Sequence, residues 1–223
     1  MRRAAPLALA LLTACSRERA AAPRDASPPA AYRVMELRGA GRIDGLVTVR
    51  EPARAIDVVV WLEDVRAGKP LPLSRRYEID HVMNTLVPRV QAAIAGGTLN
   101  VRNADDAMHR ARFTLAAAAG ARDSVLGVVE ETGAGQVVPA PRLLARVGLV
   151  LVTCDAHPAT RGWIRVFDQP YYAQPDSGGR FAIDSVPPGR LHLRAWHPTL
   201  GERDVEVQVD SAGMAYAEVK YLR

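Results

Sequence analysis

Three side chains in this sequence have the types and spacing for metal chemistry: His109, Cys154 and His157. The tetrapeptide Cys154-Asp155-Ala156-His157 follows an apolar run at 149–153. A strand that ends in a tight loop can aim a thiolate and an imidazole at one point. His109 follows the turn-rich stretch Asn103-Ala104-Asp105-Asp106, itself placed after another short apolar run. Two strand-end loops on one edge of a β-sandwich would bring the three donors together. Two imidazoles and one thiolate in a trigonal set suit copper. The thiolate gives a covalent, redox-active bond, and the imidazoles serve both oxidation states. Zinc accepts the same donors. A Cys–His pair in such a loop fits a shared metal better than a nucleophile, which needs an imidazole oriented to activate the thiol. No hydrolase signature is visible and no Gly-rich loop links a strand to a helix, so the chain reads as a non-enzyme. The competing reading is a degenerate site in which Cys154 is a small buried residue.

The elements that must position these residues read as strands. Short alternating runs at 43–49, 56–62, 98–101, 149–153, 164–167, 191–195 and 205–209 are separated by turn signals such as Gly133-Ala134-Gly135, Asp176-Ser177-Gly178-Gly179 and Pro187-Pro188-Gly189. Many short strands with frequent turns predict an all-β sandwich. The one helical expectation is a turn over 90–94, ended by Gly96-Gly97. In the strand after Gly189, Leu191, Leu193 and Ala195 share one face while His192, Arg194 and Trp196 share the other.

The N-terminus predicts export. Arg2 and Arg3 precede an apolar run at 4–12, followed by Thr13-Ala14-Cys15. The run suits a secretory signal and is too short for a permanent membrane span. Leu12-Thr13-Ala14-Cys15 resembles the bacterial lipobox, which implies cleavage after residue 14, a lipid on Cys15, and an outer-membrane anchor facing the periplasm. Residues 15–31, rich in Ala, Pro, Arg and Ser, read as a flexible tether. Loss of the two leader arginines takes the net charge from +5 to +3. No basic block or aromatic–basic alternation accompanies it, which argues against nucleic acid as a partner. With Cys15 carrying lipid, Cys154 stands alone in an oxidising compartment where most thiols pair. Such a thiol is either buried and inert or a ligand.

Two resemblances follow from these residues. The stretch Gly179-Arg180-Phe181-Ala182-Ile183, Val186-Pro187-Pro188-Gly189 and Leu191-His192-Leu193-Arg194-Ala195 resembles the carboxypeptidase regulatory-like, or transthyretin-like, β-sandwich module. A similar opening, residues 41–47, suggests that the start of the chain completes it. The layout of Asn103, Asp105 and His109, then Cys154, His157 and Pro158, then residues 163–172, resembles periplasmic cupredoxin-like proteins of the plastocyanin and methylamine-utilisation type.

That second likeness implies a cupredoxin-like Greek-key β-sandwich over 32–168 and a second small antiparallel sandwich over 169–223, completed by 40–65. It also implies one copper held by His109, Cys154 and His157. The task implied is electron transfer with a redox-protein partner, or copper handling. Cupredoxins add a weak axial Met beyond the second loop His. Thr160 and Gly162 stand there instead, while Met83 and Met108 lie outside that loop, so a raised reduction potential is expected. The alternative is a non-catalytic envelope module with a glycan ligand. The expected roles of the remaining residues are modest: His81 structural, His192 and His197 surface or core residues of the second module, and Trp61, Trp163 and Trp196 core. Trp196-His197-Pro198 is the one candidate exposed rim for a ligand.

Overall fold

Alternation of inward apolar and outward polar residues makes this chain a set of strands. Residues 214–221 alternate strictly between exposed and buried, and residues 109–115 bury every second side chain. A period of two lets one face pack on a core while the other meets water. A computed structural model describes residues 31–117, 121–131 and 133–221. The expected signal segment, Cys15 and the tether up to residue 30 lie outside the described residues.

In chain order the strands are β1 (Arg33–Val34), β2 (Gly41–Val49), β3 (Val59–Leu62), β4 (Ala67–Gly68), β5 (Arg76–Val82) and β6 (Thr85–Val87). Next come β7 (Val90–Ile94), β8 (Thr98–Asn103), β9 (His109–Leu115), β10 (Ser124–Glu131), β11 (Val137–Ala140) and β12 (Gly148–Cys154). The last six are β13 (Arg161–Phe167), β14 (Tyr172–Ala173), β15 (Arg180–Val186), β16 (Gly189–His197), β17 (Gly201–Val209) and β18 (Met214–Tyr221). One 3₁₀ turn, Ala55–Asp57, precedes β3. The fold is all-β.

Two sandwiches result. In the first, a five-stranded sheet of order β10-β9-β12-β13-β7 faces a four-stranded sheet of order β11-β8-β5-β6. The chain passes back and forth between them, with β5 and β6 on one side, β7 on the other, β8 back, then β9 and β10, in Greek-key fashion. Ile79, Leu99, Val101, Phe113, Val150 and Ile164 fill the space between. The second sandwich sets β15-β2-β18 against β14-β3-β16-β17. Its core contains Ile43, Val60, Leu62, Tyr171, Phe181 and Leu193. Its pairs are antiparallel except β2–β18, which runs parallel. Residues 41–62 thus hydrogen-bond to the C-terminal strands, not to those of the first sandwich.

The expected helical turn over 90–94 is instead β7, running parallel to β13. The reason is burial on both faces. Ala93 packs in the first core, while Val90, Ala92 and Ile94 join Val59, Trp61, Phe167 and Trp196 in a third apolar cluster. A continuous apolar run with both faces covered suits a strand between two layers as well as it suits a helix turn, and periodicity alone does not separate them. This third cluster draws side chains from both sandwiches and forms an apolar seam between them, distinct from either core.

Candidate metal centre

One end of the first sandwich gathers the donors. His109 is the first residue of β9 and Cys154 the last of β12. These strands are antiparallel neighbours, with Cys154 opposite Ala111, so the two side chains emerge at the same edge. The loop after β12 turns back at once: the His157 N–H donates to the Cys154 carbonyl at 3.3 Å and the Thr160 N–H to the His157 carbonyl at 2.9 Å. That compact turn carries the His157 ring over the strand end. Thr160, one of the two positions a loop Met would take, is buried, and its hydroxyl donates to the Asn84 carbonyl.

The three donor atoms meet. Cys154 Sγ lies 3.7 Å from His109 Nδ1 and 3.6 Å from His157 Nδ1, and the two nitrogens are 3.1 Å apart. A circle through points with these separations has a radius of about 2.0 Å, which is a metal–nitrogen bond length and slightly below a metal–sulfur one. One soft sulfur and two imidazole nitrogens at such a spacing fit copper, and fit zinc as well. Cys154 and His109 are buried, whereas His157 is only partly so.

The surroundings hold His109 in a ligating state. The Asp105 carboxylate accepts from His109 Nε2 at 2.7 Å, which places the ring proton on Nε2 and leaves the Nδ1 lone pair facing the other donors. Asp105 is itself fixed by the Ala107 N–H at 3.0 Å and the Asn84 N–H at 3.3 Å. Partial desolvation pushes this carboxyl up, but the bonds from His109, Ala107 and Asn84 outweigh it and hold it below the usual carboxylate range. Asn103 braces the same loop, accepting from the Asp105 N–H and donating to the Ala107 carbonyl. The Arg110 N–H reaches Cys154 Sγ at 3.5 Å, a contact that suits a sulfur carrying negative charge. Beside the thiol, the Arg112 guanidinium bonds both oxygens of Asp155 at 2.9 and 2.7 Å and holds that carboxyl low.

His81, expected as a structural residue, lies against this centre. It is fully buried and stacks on the His109 ring. A ligand atom of His81 falls within 4.8 Å of those of His109 and Cys154. Its partner Glu131, also fully buried, was not singled out from the sequence at all. A faint signal exists for each. In β5, His81 continues the inward phase of Ile79, and in β10, Glu131 continues that of Val129. A His and a Glu in phase with buried apolar residues are candidates for a buried pair.

Residues of the second sandwich divide differently. The expected rim at Trp196-His197-Pro198 is not formed, because Trp196 and His197 are buried at 8% and 1% exposure. Trp196 is drawn into the cluster between the sandwiches, where it meets Trp163 edge-on. His192 is exposed and pairs with Asp204 at 3.2 Å.

No protein-family model matches the sequence, and no curated protein does either. Solved structures with a similar arrangement of strands include cupredoxins. A mutant of amicyanin in its reduced state aligns at 17% identity over 41% of this chain and 82% of its own, with a TM-score of 0.34. Reduced auracyanin from Roseiflexus castenholzii aligns at 14% identity over 43% of this chain and 99% of its own, with a TM-score of 0.35. A Cu-containing nitrite reductase from Thermus scotoductus SA-01 aligns at 22% identity over 55% of this chain but only 28% of its own, with a TM-score of 0.31.

Proposed function

We propose that this protein binds one copper ion through His109, Cys154 and His157 and carries single electrons. The observation that carries the reading is the convergence of one sulfur and two Nδ1 atoms at 3.1 to 3.7 Å from one another. A donor set held by strand ends and a hydrogen-bonded loop changes little between Cu(II) and Cu(I), so little reorganisation opposes electron transfer. Of the three ligands, His157 reaches furthest toward solvent, and Pro158 and Ala159 beside it are exposed. Met83 and Met108 are exposed on adjoining loops, which Asn84 ties to Asp105 and Thr160. Exposed apolar side chains on loops beside one ligand suit brief docking of a redox protein, and no substrate pocket is needed for such a task. Thr160 stands in the loop in place of a Met and its hydroxyl is spent on the Asn84 carbonyl, so a copper held here would lack a thioether donor from this loop, which would favour Cu(I). After removal of the leader, a lipid on Cys15 would tether this centre, through the segment up to residue 31, to the outer membrane in the periplasm.

Titration of the metal-free protein with Cu(II) tests this. The expected result is one copper per chain and an intense visible thiolate-to-copper band, lost in Cys154→Ser while the fold is retained. Colourless protein with no stoichiometric copper contradicts it, and a strong preference for zinc without any coloured copper form points to a non-redox site.

A further inference from the structure

His81 and Glu131 form a buried polar pair that the three-donor set does not use. Glu131 stands opposite His109 in the β9–β10 register, and both members of the pair are 0% exposed. His81 Nδ1 donates to Glu131 Oε2 at 2.7 Å. Among the described residues, the remaining atoms, His81 Nε2 and Glu131 Oε1, have no hydrogen-bond partner. The His81 ring lies face to face with that of His109, with centroids 4.1 Å apart and planes 3° from parallel.

This parallel stack separates His81 from the ligands. An imidazole coordinates along a lone pair in its own ring plane. The Nδ1 lone pair of His109 lies in a plane parallel to, and offset from, that of His81, so the two rings do not aim at a common point. Although a ligand atom of His81 lies within 4.8 Å of those of His109 and Cys154, close enough for a shared ion, the stack makes His81 a residue that touches a ligand rather than a fourth donor. Half-satisfied buried pairs cost stability, and an apolar pair of similar size is often as stable or more so, so packing alone gives no reason for this one. Charge does. A thiolate and two neutral imidazoles around a divalent ion carry a net +1, and around Cu(I) they carry zero. A carboxylate close by in a low-dielectric interior favours the charged state. Its hydrogen bond also enriches the His81 ring in electrons, which strengthens a stack on an electron-poor, metal-bound ring.

We propose that His81 and Glu131 are a positioning pair that holds the His109 ring by its face and biases the centre toward divalent metal, which for copper means a lowered reduction potential. The inference rests on the reading that His109, Cys154 and His157 bind a metal. Glu131→Gln tests it, because the amide keeps the size and an acceptor for His81 but removes the charge. Zn(II) and Cu(I) affinities are measured by competition with chromophoric chelators, together with the copper potential and the Cu(II) paramagnetic resonance spectrum. Zn(II) affinity should fall by about tenfold to a hundredfold, the range for partners that act through a ligand. Cu(I) affinity should change less, the potential should rise, and the spectrum should stay the same. The double variant His81→Phe with Glu131→Leu keeps a ring on His109 in an apolar setting. It should match the wild type in thermal stability and show the same loss of divalent preference. Unchanged Zn(II) and Cu(I) affinities in Glu131→Gln overturn the pair's role and leave the metal reading intact. A spectrum showing a lost nitrogen ligand in the double variant overturns it too. Wild-type protein that binds neither metal overturns the metal reading itself.

Discussion

Asp105 decides whether His109 can ligate. A neutral imidazole has one lone pair, and the carboxylate at 2.7 Å from Nε2 keeps the proton there, so Nδ1 stays available. Asp105→Ala frees the ring to turn and to change tautomer. We expect divalent metal affinity to fall by about tenfold to a hundredfold, with the circular dichroism of the metal-free protein unchanged; equal affinities would show that packing alone orients the ring. At this scale the sequence was informative where donors are close in the chain. Cys154 and His157 announce themselves by spacing, and Asn103, Asp105 and His109 by a turn-rich loop after a strand. His81 and Glu131 carry no such mark. Each is a single inward polar residue near a strand end, and their meeting depends on the register that sets Glu131 opposite His109 and on two sheets facing each other.

His197 closes β16 and shows what one element requires of pH. Its Nδ1 accepts from the N–H groups of Thr199 and Leu200 at 3.3 Å each, which shapes the turn into β17 and requires the neutral ring. Burial pushes its pKa below the ordinary 6.5, Asp57 opposes this, and Arg89 adds to it. The Tyr221 ring lies 6.2 Å from it, centroid to centroid. A base with a lowered folded pKa takes up its proton first in the unfolded chain. Its contribution is therefore complete above about pH 6.5 and is lost as the pH falls below that value. Denaturant unfolding between about pH 7.5 and 5.5 should show stability falling with acid, with a shallower fall in His197→Asn; equal slopes would contradict the assignment. Elements themselves were legible where apolar and polar residues alternate in the runs at 43–49 and 98–101, which are β2 and β8. The run at 90–94 was not, because a strand covered on both faces has no alternation left to read.

Across the whole molecule, the apolar cluster of Val59, Trp61, Val90, Ala92, Ile94, Phe167 and Trp196 couples the two sandwiches. Calorimetry should give one cooperative transition for the folded region, and Trp196→Ala should destabilise it by about 3–5 kcal/mol, the usual cost of deleting a buried aromatic. Two separate transitions, with only one shifted by that variant, would mean that the sandwiches fold independently. The pairing of β2 with β15 and β18 joins segments far apart in the chain. No local pattern encodes such a pairing; only the likeness of the opening at 41–47 to the regulatory-like module hinted at it. The metal centre depends on this framework, since β9 and β12 present their ends at one edge only while the first sandwich is closed. X-ray absorption at the copper edge of the loaded protein tests the central claim most directly. A first coordination sphere of one sulfur and two imidazole nitrogens, with the sulfur missing in Cys154→Ser, is the predicted result. A sphere of nitrogen and oxygen alone, identical in both proteins, would contradict it.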